Sequence, residues 1–199
     1  MTLSIRRATL ADEAALSHIC LVTADAGKSA EALHDHKELP GLVWSVPYLH
    51  LPTTWAYVLV DESDAPVGYI VGSTDTRRYE QSAAADWWPI HAAKYPPEEM
   101  VKEGDKRVAG LLRNMYTAEE PSVVFSPAHI HINILEEHQR KGWGRKLITT
   151  AANHVKGEGL DGMWLGLDMR NTEARRFYER VGFSSFEGAA PHVLGMKFN

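Results

Sequence analysis

At 199 residues with 44% hydrophobic content, the chain can bury one full core and is short for two domains. Its formal net charge of −5, with acidic and basic residues mixed along most of the chain, excludes a nucleic-acid-binding face, and no apolar run is long enough to cross a membrane. The single cysteine, Cys20, excludes an internal disulfide framework and a cysteine-held structural zinc. Residues 1–6 lack the apolar core of a signal peptide, so the expectation is one domain over 1–199, cytoplasmic and soluble, with no metal, no membrane partner and no nucleic-acid partner.

Residues Ser4 to Ala8 read as a short strand. Thr9 and Asp12 form a capping-box pattern that opens a helix with Ala11, Ala15, Leu16, Ile19 and Cys20 on one face. Between 25 and 54, Gly, His, Pro and Trp alternate with charges and no element is assigned. Trp55–Val60 and Val67–Gly72 read as a hairpin of two central strands. The stretch from about 73 to 120 reads as an insertion between the third and fourth strands, with helices over Tyr79–Ala92 and Pro97–Tyr116. Ala128–Leu135 is the next strand, and Leu147, Ile148, Ala151, Ala152 and Val155 then give a helical apolar stripe that stops near Gly157 and Gly159. Met163–Leu167 is a further strand. A helix follows with Ala174, Phe177, Tyr178 and Val181 on one face and Gly182 as its stop, and His192–Phe198 closes the sheet.

The segment Gln139-Arg140-Lys141-Gly142-Trp143-Gly144 lies between a strand and an amphipathic helix. Glycines at a helix start let backbone N–H groups turn toward an anion, and the helix dipole adds positive potential there. A pyrophosphate fits such a nest, with Arg140, Lys141, Arg145 and Lys146 around it; the bland alternative is a glycine turn with solvated charges.

Gln139, Gly142 and Gly144 are in register with the signature of the GNAT acetyltransferases, which the sequence resembles here. The resemblance continues through Asn171 to Phe183, similar to the family's second CoA-binding helix with its Asn, Phe-Tyr and Gly-Phe landmarks. It implies an α/β (α+β) GNAT fold: a central mixed, mostly antiparallel, twisted sheet flanked by helices. It also implies acetyl-CoA as cosubstrate, an amine-bearing small molecule or peptide as acceptor, and direct attack in a ternary complex, and it leaves a homodimer open. A narrower similarity, carried by Pro127–Leu135, Asp86–Pro89 and Lys94–Pro96, is to the acetyltransferase-like domain of O-GlcNAcases and its free-standing microbial relatives. That similarity keeps a second reading open, a catalytically silent acyl-CoA-binding or protein-interaction module.

The resemblance assigns cofactor contacts to Ile134 and Glu136 through their backbone, to Gln139, Arg140, Lys141, Gly142, Trp143, Gly144 and Arg145 in the loop, and to Asn171 and Tyr178. Asn171 could equally cap the helix that starts at Thr172. Tyr178 is the expected general acid for the departing thiolate, against a core tyrosine on an apolar stripe. His129 and His131, two apart on a strand and so on one face, are the expected bases, against a pair that merely satisfies its surroundings. Glu136, His138 and Asp168 are fallback bases, and Trp44, Tyr48, Trp87, Trp88 and Tyr95 are candidates for an acceptor wall.

Overall fold

The computed structural model describes residues 2–198. Its six strands, β1 (Ser4–Arg7), β2 (Thr54–Val60), β3 (Pro66–Ser73), β4 (His129–Ile134), β5 (Gly162–Gly166) and β6 (Val193–Lys197), form one sheet in sequence order. All neighbours are antiparallel except β4 and β5, which run parallel. The helices are α1 (Glu13–Leu21), α2 (Leu39–Trp44), α3 (Thr76–Asp86), α4 (Trp88–Lys94), α5 (Glu103–Arg113), α6 (Glu120–Phe125), α7 (Trp143–Gly157) and α8 (Thr172–Val181). This is the mixed sheet flanked by helices that the sequence implied.

Alternation along the strands gives each face of the sheet its own core. Leu59, Ile70 and Ile130 pack with Leu147, Ile148, Ala151 and Val155 of α7 on one face. Val58, Tyr69 and Val71 pack with Leu16, Ile19 and Cys20 of α1 on the other. A third core, built from Leu39, Val43, Ala83, Trp88, Val108 and Leu112, joins α2 to the insertion.

Several boundaries differ from the sequence reading. Asp12 does accept the Thr9 N–H (2.8 Å), but the chain first makes a 3-10 turn over Leu10–Asp12 before α1, and Ala11 is exposed. The helix expected over Tyr79–Ala92 is two helices broken at Trp87, because Pro89 has no N–H to continue the ladder and restricts Trp88 before it. The region after Pro97 is a single 3-10 turn, Pro97–Glu99, followed by the shorter α5. The unassigned 25–54 stretch holds α2 between two 3-10 turns, Glu31–Leu33 and Val46–Leu49. The chain also forms α6, which the pattern did not reveal.

Candidate active site

The parallel pair is where the sheet opens. Only His129 and Trp164 are in register across β4 and β5, with the Trp164 N–H donating to the Ala128 carbonyl (3.0 Å). Beyond that rung the strands part. Leu135 donates to Val67 (2.9 Å), which sets the odd-numbered residues of β4 as the ones paired to β3. The peptide groups of Ile132 and Ile134 therefore face the gap. By the same alternation, with Leu167 donating to His192 (2.9 Å), Gly166 faces it from β5. The Ile134 carbonyl accepts from Gln139 Nε2 (2.8 Å), which ties the loop to the strand end. Glu136 is exposed in the 3-10 turn that follows. Ile132 was not singled out from sequence, although stepping back two residues from Ile134 would have found it.

The loop beyond the gap is built for an anion. Gly142, with φ of 84°, sits in the left-handed region as the cap of α7, and a Cβ there would meet open space. The N–H groups of Trp143, Gly144 and Arg145 donate to no acceptor among the described residues, as expected of a first helical turn. Gly144 has a different reason to be glycine: a Cβ would lie 2.8 Å from Cζ of Phe177, so it sets the close approach of α7 to α8. The charged side chains are less free than the sequence implied. Lys141 donates to the Glu137 carbonyl (2.7 Å), Arg145 donates to the Arg180 carbonyl (3.3 Å), and Lys146 lies 3.8 Å from the Trp143 ring centroid. Arg140 is exposed, with φ of 58°.

On the α1 face of the sheet, the histidine pair divides. His129 is buried, and both of its nitrogens are engaged, Nδ1 with Thr76 Oγ1 (2.7 Å) and Nε2 with Tyr48 Oη (2.8 Å). Thr76 spends its hydroxyl proton on the Pro127 carbonyl (2.7 Å), so it accepts from His129 Nδ1–H, and His129 Nε2 accepts from Tyr48. Burial, and next the neighbouring His131, hold His129 down at about 3. A ring with both nitrogens occupied has no lone pair to offer a substrate, which leaves His131 as the accessible member of the pair. His131 is partly exposed, lines the cleft, and has no hydrogen-bond partner among the described residues; burial lowers it to about 4. The next side chain on this face, Asn133, accepts from Tyr69 Oη (2.8 Å) and donates to Thr23 Oγ1 (2.6 Å).

Tyr178 lines the same cleft, with its ring against Phe177 and Phe183. Burial raises its phenol to about 12, so it stays protonated at neutral pH. Asn171 caps α8 by accepting from the Ala174 N–H (3.0 Å), and its amide crowds Gly27, where a Cβ would lie 2.7 Å from Asn171 Nδ2. Asp168 belongs to its turn: it accepts from the Arg170 N–H (2.9 Å) and pairs with the Arg170 guanidinium (2.7 Å), which holds its carboxyl below the usual range. Arg170 also reaches Asp25 (2.9 Å). His138 lies beside Glu137, outside this constellation.

The cleft has a volume of about 1530 Å³ and runs from the β4–β5 gap to the insertion, which lines it without filling it. Of the aromatic candidates, Trp44, Tyr48 and Trp88 reach its wall. Trp87 donates to the Leu42 carbonyl (2.9 Å) and Tyr95 to Glu38 (2.6 Å), so both fasten the insertion to α2.

A family model described as the acetyltransferase (GNAT) family matches residues 29–183. The chain belongs to the GNAT family. Among solved structures, SsHAT is similar over 99% of this chain and 98% of its own, at 30% identity and a TM-score of 0.87. A GNAT acetyltransferase from Brucella melitensis, solved in complex with acetyl-CoA, shares the fold at 16% identity and a TM-score of 0.52, over 100% of this chain and 89% of its own. Among curated proteins, the [ribosomal protein bS18]-alanine N-acetyltransferase of Haemophilus ducreyi is 35% identical over 46 residues, which is 23% of this chain and 32% of that relative. Among the described residues no helix is long and apolar enough to cross a membrane, and no group of three or more His, Cys, Asp or Glu could hold a metal ion.

Proposed function

We propose that the chain transfers an acetyl group from acetyl-CoA to an amine by direct attack in a ternary complex. The observation that carries this reading is the parting of β4 from β5, which leaves the Ile132 peptide and the Ile134 N–H turned to the gap, with Ile132 and the Tyr178 phenol lining one cleft. The α7 amides and the open space at Gly142 suit a pyrophosphate, and the strand edge suits an amide-bearing arm, with the Ile132 or Ile134 N–H facing the thioester oxygen. The acceptor nitrogen, once neutral, attacks the acetyl carbon; the C–S bond breaks, the leaving sulfur takes the Tyr178 proton, and the proton shed by the new amide nitrogen returns to the phenolate. Burial keeps the phenol protonated at about 12, and because a thiol titrates near ~8.5 transfer to the free thiolate runs uphill, so the phenol acts first by hydrogen-bonding the sulfur as the C–S bond opens. His131 accepts the proton that the acceptor ammonium loses, directly or through water. Burial, which lowers it to about 4, leaves it neutral at physiological pH but a weak base, so its role is to relay the proton onward to water.

A silent acyl-CoA-binding module would have the same loop and gap. The open cleft, lined and not plugged by the insertion, supports an acceptor-using enzyme instead. A panel of amines screened by CoA release, with acetyl-CoA-induced thermal shift as a parallel readout, separates the two. A rise in Tm without CoA release on any amine would favour the module; no rise at millimolar acetyl-CoA would remove both readings.

A further inference from the structure

The insertion side of the cleft carries a polar arrangement that acetyl transfer itself does not use. His34 is 2% exposed and Asp105 is fully buried, and they meet at 2.7 Å through His34 Nδ1. The other Asp105 oxygen accepts from the N–H groups of Asp35 (2.8 Å) and His36 (3.4 Å), so the carboxylate is fixed from both sides. In the neutral ring the Nδ1 proton goes to Asp105, and Nε2 keeps its lone pair. Nε2 accepts from no donor among the described residues and lies 3.1 Å from where a Cβ on Gly104 would stand, and His34 lines the cleft.

The residue beneath that ring explains its position. Gly104 of α5 lies so close that a Cβ would meet the Leu33 carbonyl and stand 3.0 Å from His34 Cε1. One turn along the same face is Arg107, also lining the cleft, with its guanidinium 5.7 Å from the Trp44 ring centroid. Arg107 forms no salt bridge among the described residues, whereas its helix neighbours Lys106 and Arg113 pair with Glu103 and Glu98. A buried, orientated hydrogen-bond acceptor thus stands one helical turn from a ring-backed cation that forms no salt bridge among the described residues, its charge felt by Asp168, which lines the same cleft.

We propose that His34 and Arg107 hold the distal end of the acceptor, and that this end carries both an N–H donor and a carboxylate. The acetylated amine is then a second one, so the substrate class is a free diamino acid: its carboxylate on Arg107, its α-amine on His34 Nε2 and its side-chain amine toward the β4–β5 gap. Guanidinium and carboxylate match in planar, two-bond geometry, while Nε2 offers a lone pair to an ammonium proton. The inference rests on the acetyl-transfer reading and narrows its substrate.

The test compares lysine and ornithine with their methyl esters, with 6-aminohexanoate, which lacks the α-amine, and with 1,5-diaminopentane, which lacks the carboxylate. With the wild-type protein, esterification should raise KM by roughly ten- to a hundredfold, the scale of a lost charge-assisted hydrogen bond. In Arg107→Gln that penalty should largely vanish, because the free acid has already lost its partner. In His34→Gln the difference between lysine and 6-aminohexanoate should shrink likewise. Arg107 is exposed, so Arg107→Gln reports even if the buried His34 variant folds poorly. Equal use of esters, diamine and free diamino acids overturns the proposal, as does an esterification penalty unchanged in Arg107→Gln. If no amine turns over, calorimetric titration of lysine into the CoA-bound protein decides, and no binding overturns it. Acetyl-CoA thermal shift, read on the same samples, reports separately on the acetyl-transfer reading.

Discussion

Lowering the pH from 7 to 5 should destabilise the protein by about 4 kcal/mol through His129 and His131 alone. Both imidazoles are held neutral in the fold, at about 3 and about 4, whereas an unfolded histidine titrates near ~6.5. Below ~6.5 the unfolded chain therefore binds protons that the folded chain refuses, and stability falls as the pH falls. At pH 5, 1.5 units below the unfolded value, each histidine costs about 2 kcal/mol by this linkage. The perturbation that isolates one of them is His129→Gln, which keeps a donor and an acceptor for Thr76 and Tyr48 but does not titrate. Urea unfolding between pH 7 and 5 should show a decline smaller by about 2 kcal/mol in the variant than in the wild-type protein, whatever the variant's stability at pH 7. His91 and His154, also lowered by burial, add to the decline with the same sign in both proteins. A wild-type stability flat to within about 1 kcal/mol over this range, or an undiminished slope in His129→Gln, would refute the neutral, doubly bonded His129.

Tyr178→Phe should leave acetyl-CoA affinity near normal and lower kcat by roughly 10²- to 10⁴-fold; normal turnover would return Tyr178 to a packing role. His131→Gln should lower kcat/KM most at neutral pH and recover partly as the pH rises and more of the amine is neutral in solution, and an unchanged pH–rate curve would move proton removal to a water chain. The two loop glycines should fail differently. Gly142→Asp places charge beside the anion site and should abolish CoA binding in calorimetry, at a modest cost in Tm from its left-handed φ. Gly144→Ala pushes a methyl group into Phe177 and should cost about 1–3 kcal/mol of stability in urea unfolding. Equal behaviour of the two variants would mean that the loop has a single role.

What the sequence made legible was whatever local periodicity or backbone geometry controls. The stripe Leu147 to Val155 located α7, the Gly142 turn located its start, and alternation in His129–Ile134 put both histidines on one face. The 25–54 stretch was opaque because its elements are one to two turns long and begin at prolines, too short for a helical period to repeat. Partnership was equally hidden. Nothing local distinguishes His129 from His131; Tyr48 and Thr76, 81 and 53 residues away, make the difference. His34 looked like one more polar residue in an irregular stretch until Asp105, 71 residues on, completed it. Lys141 and Arg145, expected near phosphate from their charge and from the resemblance, donate to the Glu137 and Arg180 carbonyls, partners that no local pattern announces.

The single registered rung between β4 and β5 makes the sheet two leaves, four strands on one side and two on the other. Any occupant that hydrogen-bonds the edges of Ile132 and Gly166 becomes a missing rung and ties the leaves together. Amide hydrogen exchange at those two residues would then record occupancy directly. The slowing should spread to the far ends of both strands, in β3 and β6, because leaves that open independently when empty must open together when the gap is bridged.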